Sequence, residues 1–588
     1  MPAKPSGQVK TTIIHVPQPN GDVYVYERQT IYLPEKRYNK ILHSKLLGKI
    51  PLGKTEMVPT RPKRLDGSKT EKGKGNNTNL VVAQRHNIGM MHILDHIGKE
   101  SGIDDSLYSI TDIGTAQKII SIARYYVATG GQPTTGIITW QLNHKIPYAS
   151  GISEDIYHDL YEYIGSNESI FQNYFLSRKN KLSENSSIAY DSTTISTYSD
   201  QQLFARYGYN KDNDGLKTIK ILTLYSIDIN EPIAFSRQPG NIPDVITIDN
   251  ALRELSFLGL NSGELILDNG FYSIANLAEM IHRGYDFTIL IKNNISWARS
   301  TIDCNIKKLK SSANVCPFDP LVKGLAIPIN HIFIRDEKYL TKEEKERGES
   351  RSFKKRVFLH LFHNIYSQAE DTATFDLEIN NMRLKLESKE WKMDSLDEKI
   401  LKKVNKYLNV IDDGEKVTVK IKDFICDEEY KYHGVFVLFS NKEKSPFECL
   451  KKYRQRNMIE TFFRAEKNTV DGKRARSWTD NVFRGRLFVQ FIALCYYQYL
   501  KNKLNNIEDN LGKPNGDSEH DTKINLSKEE KLRSWMKNMT ITQQLQWFDA
   551  IEGVEVSSEI MRKRWNTDAI AQDILYLQKL GVTLPAKE

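Results

Sequence analysis

Apolar positions change their period along the chain. Over 86–180 they recur at helical spacing in 92–97, 116–127 and 156–164 without sustained alternation, which predicts a helical domain. From Ser186 the period shortens. Residues 187–191 (SIAYD) end one strand, 217–228 (KTIKILTLYSID) read as a second and 233–236 as a short third, and three consecutive strands predict an antiparallel set. A helix at 243–258, a strand at 264–268 (ELILD), a helix at 274–283 and a strand at 286–292 (DFTILIK) follow. That β-α-β-α-β series predicts parallel strands joined by crossovers.

After residue 292 the alternation of strand and helix stops. Strand-like runs at 357–361, 416–421 and 434–439, with one charged helix at 395–408, predict a strand-rich insertion domain over 293–440. The core resumes over 441–504 with an amphipathic helix from Ser445, which can cap it, and Pro446, which fits its first turn. Residues 487–500 read as a buried helix. A polar linker fills 505–530, and 531–588, with Trp535, Trp547 and Trp565, reads as a small helical tail. Residues 1–85 form a basic amino-terminal segment, a strand-rich start followed by a Pro/Gly/Lys-rich connector at 48–79. The expected class is α/β, with 86–180 as a helical, DNA-binding domain.

Composition narrows the function. Hydrophobic residues make up 39 %, which excludes a collagenous or wholly disordered chain. The longest apolar stretch, 487–500, contains Gln490 and Gln498, and the first ten residues lack an apolar run, so neither a membrane span nor a secretory leader is expected. Five cysteines, odd in number and without a C-x-x-C pair, read as reduced cytosolic thiols. His360 and His363 are spaced like metal ligands, but three apart on a strand they point to opposite faces, so a satisfied or exposed pair is expected. Gly48-Lys-Ile-Pro-Leu-Gly53-Lys54-Thr55 fits the phosphate-loop pattern, which needs a strand before it and a helix after it. Here 38–47 reads as helix, and Pro59 and Pro62 break any helix that follows, so no nucleotide site is expected. The formal charge of +9 is unevenly placed: 1–85 carry 16 Lys/Arg against 6 Asp/Glu, and 451–486 carry 11 against 4. Clustered cations suit a polyanion through counterion release, although a solvated charged surface gives the same counts.

Three acidic residues stand in separate contexts. Asp191 ends a strand before Ser192-Thr193-Thr194, Asp268 ends another before the turn Asn269-Gly270-Phe271-Tyr272, and Glu460 lies in the amphipathic helix. Carboxylates at strand ends of an α/β sheet gather at one edge, where ligands bind. At about 100° per residue, Tyr453, Arg456, Glu460, Arg464 and Lys467 fall within an arc of roughly 80°, away from an apolar face of Met458, Ile459, Phe462, Phe463 and Ala465. A solvated helix carries such a face equally well, since Glu and Arg four apart stabilise each other.

The spacing Tyr453-x2-Arg456-x3-Glu460-x6-Lys467 resembles the Y-R-E-K signature of DDE transposases from prokaryotic insertion sequences. Tyr190-Asp191-Ser-Thr-Thr and Leu267-Asp268-Asn-Gly-Phe-Tyr resemble that family's two Asp blocks, with Asn269 where Arg or Lys is common. The likeness covers about 187–500 and implies a ribonuclease H-like catalytic core interrupted by the insertion. It implies Asp191, Asp268 and Glu460 as catalytic ligands of two Mg²⁺ ions, with Mn²⁺ as a substitute, and Tyr453, Arg456 and Lys467 as DNA-binding signature residues. Arg464 joins them from the helix arithmetic. Two cations about 3.5–4 Å apart activate the attacking oxygen and stabilise the leaving one, and Mg²⁺ needs few protein carboxylates.

The expected partners are double-stranded DNA, as transposon ends and target, and a second copy of the chain in a homodimeric synaptic complex, with no membrane partner. The expected location is the prokaryotic cytoplasm, associated with the nucleoid. Trp297 stands where related enzymes carry an aromatic near a flipped base, or packs at the insertion boundary. Arg474, Arg476, Arg484 and Arg486 follow the DNA backbone or line a solvated loop. Arg61, Lys63 and Arg64 belong to a basic stretch suited to end recognition. The activity expected is DNA transposition and recombination: endonuclease cutting at inverted repeats, then joining of 3′-hydroxyl ends to target. A catalytically silent transposase-derived regulator and a ribonuclease H-like nuclease without strand transfer remain the alternatives.

Overall fold

The computed structural model describes residues 9–19, 21–33, 38–58, 82–183, 185–208, 210, 214–348, 351–413, 416–460, 463, 474–475, 477–513, 519–557, 562–567 and 569–584. It comprises two compact units, 1–79 and 80–588.

In the first unit, Val9–Pro17, Val23–Leu33 and Tyr38–Ile50 form an antiparallel sheet. The helix expected at 38–47 is therefore a strand. Ile41, Leu42, Leu46 and Leu47 mimic a helical stripe, but pairing with Val23–Leu33, with two register shifts, prevails over local spacing. A strand thus does precede the Gly48 motif. No helix follows it among the described residues to Val58, so the phosphate-loop context is absent there. Arg61, Lys63 and Arg64 lie outside the described residues.

The second unit is built on one nine-stranded sheet. Its strands are β1 (Ser187–Thr197), β2 (Lys217–Ser226), β3 (Glu231–Pro239), β4 (Gly263–Leu267), β5 (Tyr285–Ile291), β6 (Val315–Cys316), β7 (Asp319–Ile334), β8 (Ser352–Asn364) and β9 (Val435–Ser440). The order is β6-β7-β8-β9-β5-β4-β1-β2-β3. β1, β2 and β3 are antiparallel, and β4 and β5 run parallel to β1, the arrangement the sequence pattern predicts. Alternate side chains of β1 enter two different cores, Ala189 and Ile195 on one face, Ile188 and Tyr190 on the other. The second face is covered by α1 (Ile248–Phe257), α2 (Ile274–His282) and α3 (Ser296–Leu309). The first is covered by the amino-terminal helices and by a long helix, Asp480–Asn510, that contains the buried run expected at 487–500. With both faces covered, the central strands β1, β2 and β4 are buried almost throughout.

The helices expected in 86–180 form, at Gly89–Glu100, Ile113–Thr129 and Glu154–Ser166. They share a core with the sheet and do not stand apart from it. A Cβ on Gly485 would lie 2.0 Å from the Tyr161 carbonyl oxygen, and one on Gly165 would lie 1.8 Å from that of Asn481, so only glycine permits this helix crossing.

Residues 293–440 are organised differently from a separate insertion. β6 to β9 extend the core sheet through β9–β5 pairing, and 365–430 form a satellite with its own small core around Met382, Val404 and Val419. The expected linker at 505–530 is largely helical among the described residues, in Asp480–Asn510 and Glu519–Lys537. The expected helical tail also contains strands: Glu552–Ser557 pairs with Arg562–Asn566 and with Val82–Asn87, which ties the carboxyl-terminal region to the start of the unit. No helix among the described residues is long and apolar enough to cross a membrane. All five cysteines are free thiols, and only Cys304 is exposed.

Candidate active site

Strand register brings the first two acids together. In the parallel β1–β4 pair, Tyr190 stands opposite Leu267, the last residue of β4, so Asp191 and Asp268 occupy the next position on adjacent strands. Asp191 does not end its strand as expected. β1 runs on to Thr197 because β2 continues to pair with it, and what ends beside Asp191 is its parallel partner. Past β4 the chain folds into a tight turn over Asn269–Phe271, and Asp268 Oδ1 caps it by accepting the Asn269 N–H at 2.8 Å.

Glu460 arrives from another direction. Ser445 caps α4 (Pro446–Gln455) by accepting the Glu448 N–H, with Pro446 in the first turn, as the sequence predicts. The helix does not continue unbroken to Glu460. At Arg456 the backbone tightens, with Arg456 N–H donating to Tyr453 O and Ile459 N–H to Arg456 O, before helix resumes at 457–460. Two long side chains that the sequence did not single out anchor α4. Lys452 Nζ donates to Glu264 Oε2 at 3.0 Å, and Glu264, fully buried on β4, also accepts from Thr288 Oγ1 at 2.7 Å. Arg454 Nη2 donates to Asp319 Oδ2 at 2.6 Å. A charged residue inside the apolar run of β4 is the one sequence signal that a partner must come to Glu264.

Two signature residues contact the three acids. Arg456 Nη1 donates to Asp191 Oδ2 at 2.9 Å and Nη2 to Glu460 Oε1 at 2.6 Å, while the Tyr453 hydroxyl donates to Asp268 Oδ1 at 3.3 Å. The Arg456 side chain is only 6 % exposed, against 50 % for Glu460. Burial alone would lower the Arg456 pKa, but Tyr453, Asp191, Asp268 and Glu460 together raise it, so the guanidinium stays charged. Burial pushes the Tyr453 phenol well up; Arg456 opposes this and Asp268 adds to it, so Tyr453 is a neutral hydrogen-bond donor.

The donor set is all carboxylate oxygen, which fits a hard divalent cation in chemistry. The positive charge between Asp191 and Glu460 is here the Arg456 guanidinium, and among the described residues no three His, Cys, Asp or Glu groups are assembled as ligands.

Other expected residues lie apart. Trp297 sits in α3, half-buried against His331 and Phe439 with ring centroids 4.8 and 5.3 Å away, and packs on the core beneath the sheet's extension. Arg474 lies beside Ser196, about 17 Å along β1 from Asp191 at about 3.3 Å per residue, stacked on Tyr198 and 3.6 Å from Asp214. Arg484 pairs with Glu168, and Arg486 is buried with Nη1 donating to Ala475 O at 3.3 Å. Arg464, Lys467 and Arg476 lie outside the described residues. His360 and His363 are both buried, with Nε2 bonded to Glu443 O and Gln368 Oε1 respectively.

The mixed sheet thus sets two Asp side by side, and Arg456 joins a helical Glu to one of them. Residues 183–496 match the family model of the transposase DDE domain. The match spans more than half of the chain, and the chain belongs to this family: it carries a transposase domain, and its central sheet is consistent with a ribonuclease H-like fold. Among solved structures it is similar to a chain of the cryo-EM structure of a piggyBac transposase synaptic complex with hairpin DNA, at 10 % identity over 78 % of this chain and 81 % of that one, with a TM-score of 0.32, too slight a likeness to define a fold. No curated protein matches the chain.

Proposed function

We propose that this protein is the transposase of a prokaryotic insertion sequence, of the Y-R-E-K branch, which binds inverted-repeat ends, cuts phosphodiester bonds there and joins the freed 3′-hydroxyls to target DNA. The observation that supports this is the placement of Asp191 and Asp268 at successive positions of adjacent parallel strands, with Glu460 joined to Asp191 through Arg456. When bound, two Mg²⁺ ions held by these carboxylates, or Mn²⁺ in their place, would supply an activated attacking oxygen and charge neutralisation at the leaving one. Tyr453 holds the Asp268 carboxylate, and Arg456 holds those of Asp191 and Glu460. Arg464 and Lys467 are suited to the phosphates flanking the scissile bond, whereas Arg456, 6 % exposed, is engaged by the carboxylates. The working form is a homodimer that pairs two ends, in the cytoplasm on the nucleoid.

The test is cleavage of a duplex carrying the element's own terminal repeat, with Mg²⁺ or chelator, beside the Glu460→Gln variant. Metal-dependent cutting at the repeat boundary that vanishes in the variant is expected. Tight binding without cutting, where an active transposase works, overturns the catalytic reading in favour of a regulator. Cutting without joined product overturns strand transfer in favour of a nuclease.

A further inference from the structure

We propose that Asp244, held by Lys220, is a positioning residue that fixes the Asp191 strand against the Asp268 turn. The inference rests on the catalytic reading above but concerns a residue outside the three acids and the signature helix. Asp244 begins a short turn, Asp244–Ile246, ahead of α1. Its Oδ1 accepts the Ser192 hydroxyl at 2.9 Å and is also paired with Lys220 Nζ. The Ser192 N–H in turn donates to Asp191 Oδ1 at 2.7 Å, so Ser192 connects the two carboxylates. The other Asp244 oxygen faces the second catalytic turn: a Cβ on Gly270 would lie 3.2 Å from Oδ2.

The two turns are tied again below this contact. Asn276 Nδ2 donates both to Val245 O at 2.7 Å and to Phe271 O at 3.2 Å, and the Tyr190 hydroxyl donates to Thr247 O at 3.3 Å. Asp244 is thus an anion bonded to the residue after Asp191 and set beside the residue two after Asp268. Lys220, 10 % exposed on β2, supplies the positive charge that keeps this carboxylate in place. Its function is geometric, because carboxylates bind cations tightly only when their neighbours fix them.

The experiment compares wild type, Asp244→Asn, Asp244→Glu, Lys220→Met and the Asp244→Asn/Lys220→Met double variant. Three readouts are taken: dissociation constant for a terminal-repeat duplex in chelator, single-turnover cutting against MnCl₂ concentration, and the rise in melting temperature with MnCl₂. For Asp244→Asn the expected result is end binding within threefold of wild type, cutting at least 30-fold slower and a half-saturating Mn²⁺ at least fivefold higher. Asp244→Glu recovers part of both, and the double variant recovers part of the loss because no unpaired cation is left beside Ser192. Unchanged Mn²⁺ midpoints in Asp244→Asn and Lys220→Met, or a rate loss explained by a lowered melting temperature alone, overturns the proposal. If Asp244→Asn does not fold, Asp244→Glu and Lys220→Met decide by the same midpoints. The melting readout needs no cutting, so a wild type that binds Mn²⁺ without cleaving sinks the catalytic reading while still testing Asp244. A wild type with no Mn²⁺ response sinks both.

Discussion

Asp191 and Asp268 are mounted on backbone, whereas Glu460 is mounted on side chains. The first pair inherits its backbone spacing from the β1–β4 register. Glu460 depends on a helix that breaks at Arg456 and is tethered by Lys452, Arg454 and Arg456. The contrast teaches that one site can combine a fixed edge with an adjustable third carboxylate, and that the adjustable part should respond first to mutation and pH.

The sharpest way to break this comparison is to remove the acids themselves. Asp191→Asn, Asp268→Asn and Glu460→Gln are each expected to slow cutting by on the order of 10³-fold, about 4 kcal/mol, with end binding retained in a gel-shift assay. A Glu460→Gln protein that cuts at near wild-type rate would leave the helix without a catalytic part. Next in size is Lys452→Met, which strands Glu264 as a buried charge. Breaking a buried pair costs about 3–5 kcal/mol, and since Lys452 is 29 % exposed the lower end is expected, read as a shift in urea unfolding.

The pH dependence tests the turn before α4. His360, buried on β8 with Nε2 on Glu443 O, is held down to about 4, chiefly by burial, with the Glu443 contact opposing. The unfolded chain takes up that proton near 6.5, so this stability is complete above pH 6.5 and is lost as pH falls toward 4, by up to roughly 3 kcal/mol. His360→Gln is expected to flatten unfolding stability over that window. The smallest effect is Ser445→Ala, which removes the α4 cap for about 0.5–1 kcal/mol in the same unfolding measurement.

What the sequence made legible was local. The strand into Asp191, though not its end, the strand ending beside Asp268 and the Ser445-Pro446 start of α4 were readable because period, turn chemistry and capping all act within a few residues. What it hid was partner choice. β9 reaching β5, and Glu552–Ser557 reaching Val82–Asn87, are pairings that no short window contains. The stripe at Ile41, Leu42, Leu46 and Leu47 misled because a paired strand with register shifts can carry helix-like spacing. The break at Arg456 has no Pro or Gly to announce it; it coincides with the guanidinium that reaches both Asp191 and Glu460. Asp244 and Lys220 were invisible for the same reason as Lys452: a charged residue's purpose is set by what folds up against it.

The glycine crossing of the long helix over Glu154–Ser166 has a practical corollary. The family match begins at 183, yet Gly165 and Gly485 fuse the preceding helices to the sheet through one shared interior. A gene fragment cut at the family boundary would express a protein with an oily flank laid bare around Phe488 and Ile492, prone to precipitate. Swapping the amino-terminal helices between relatives would need the helix at 480–510 to travel with them.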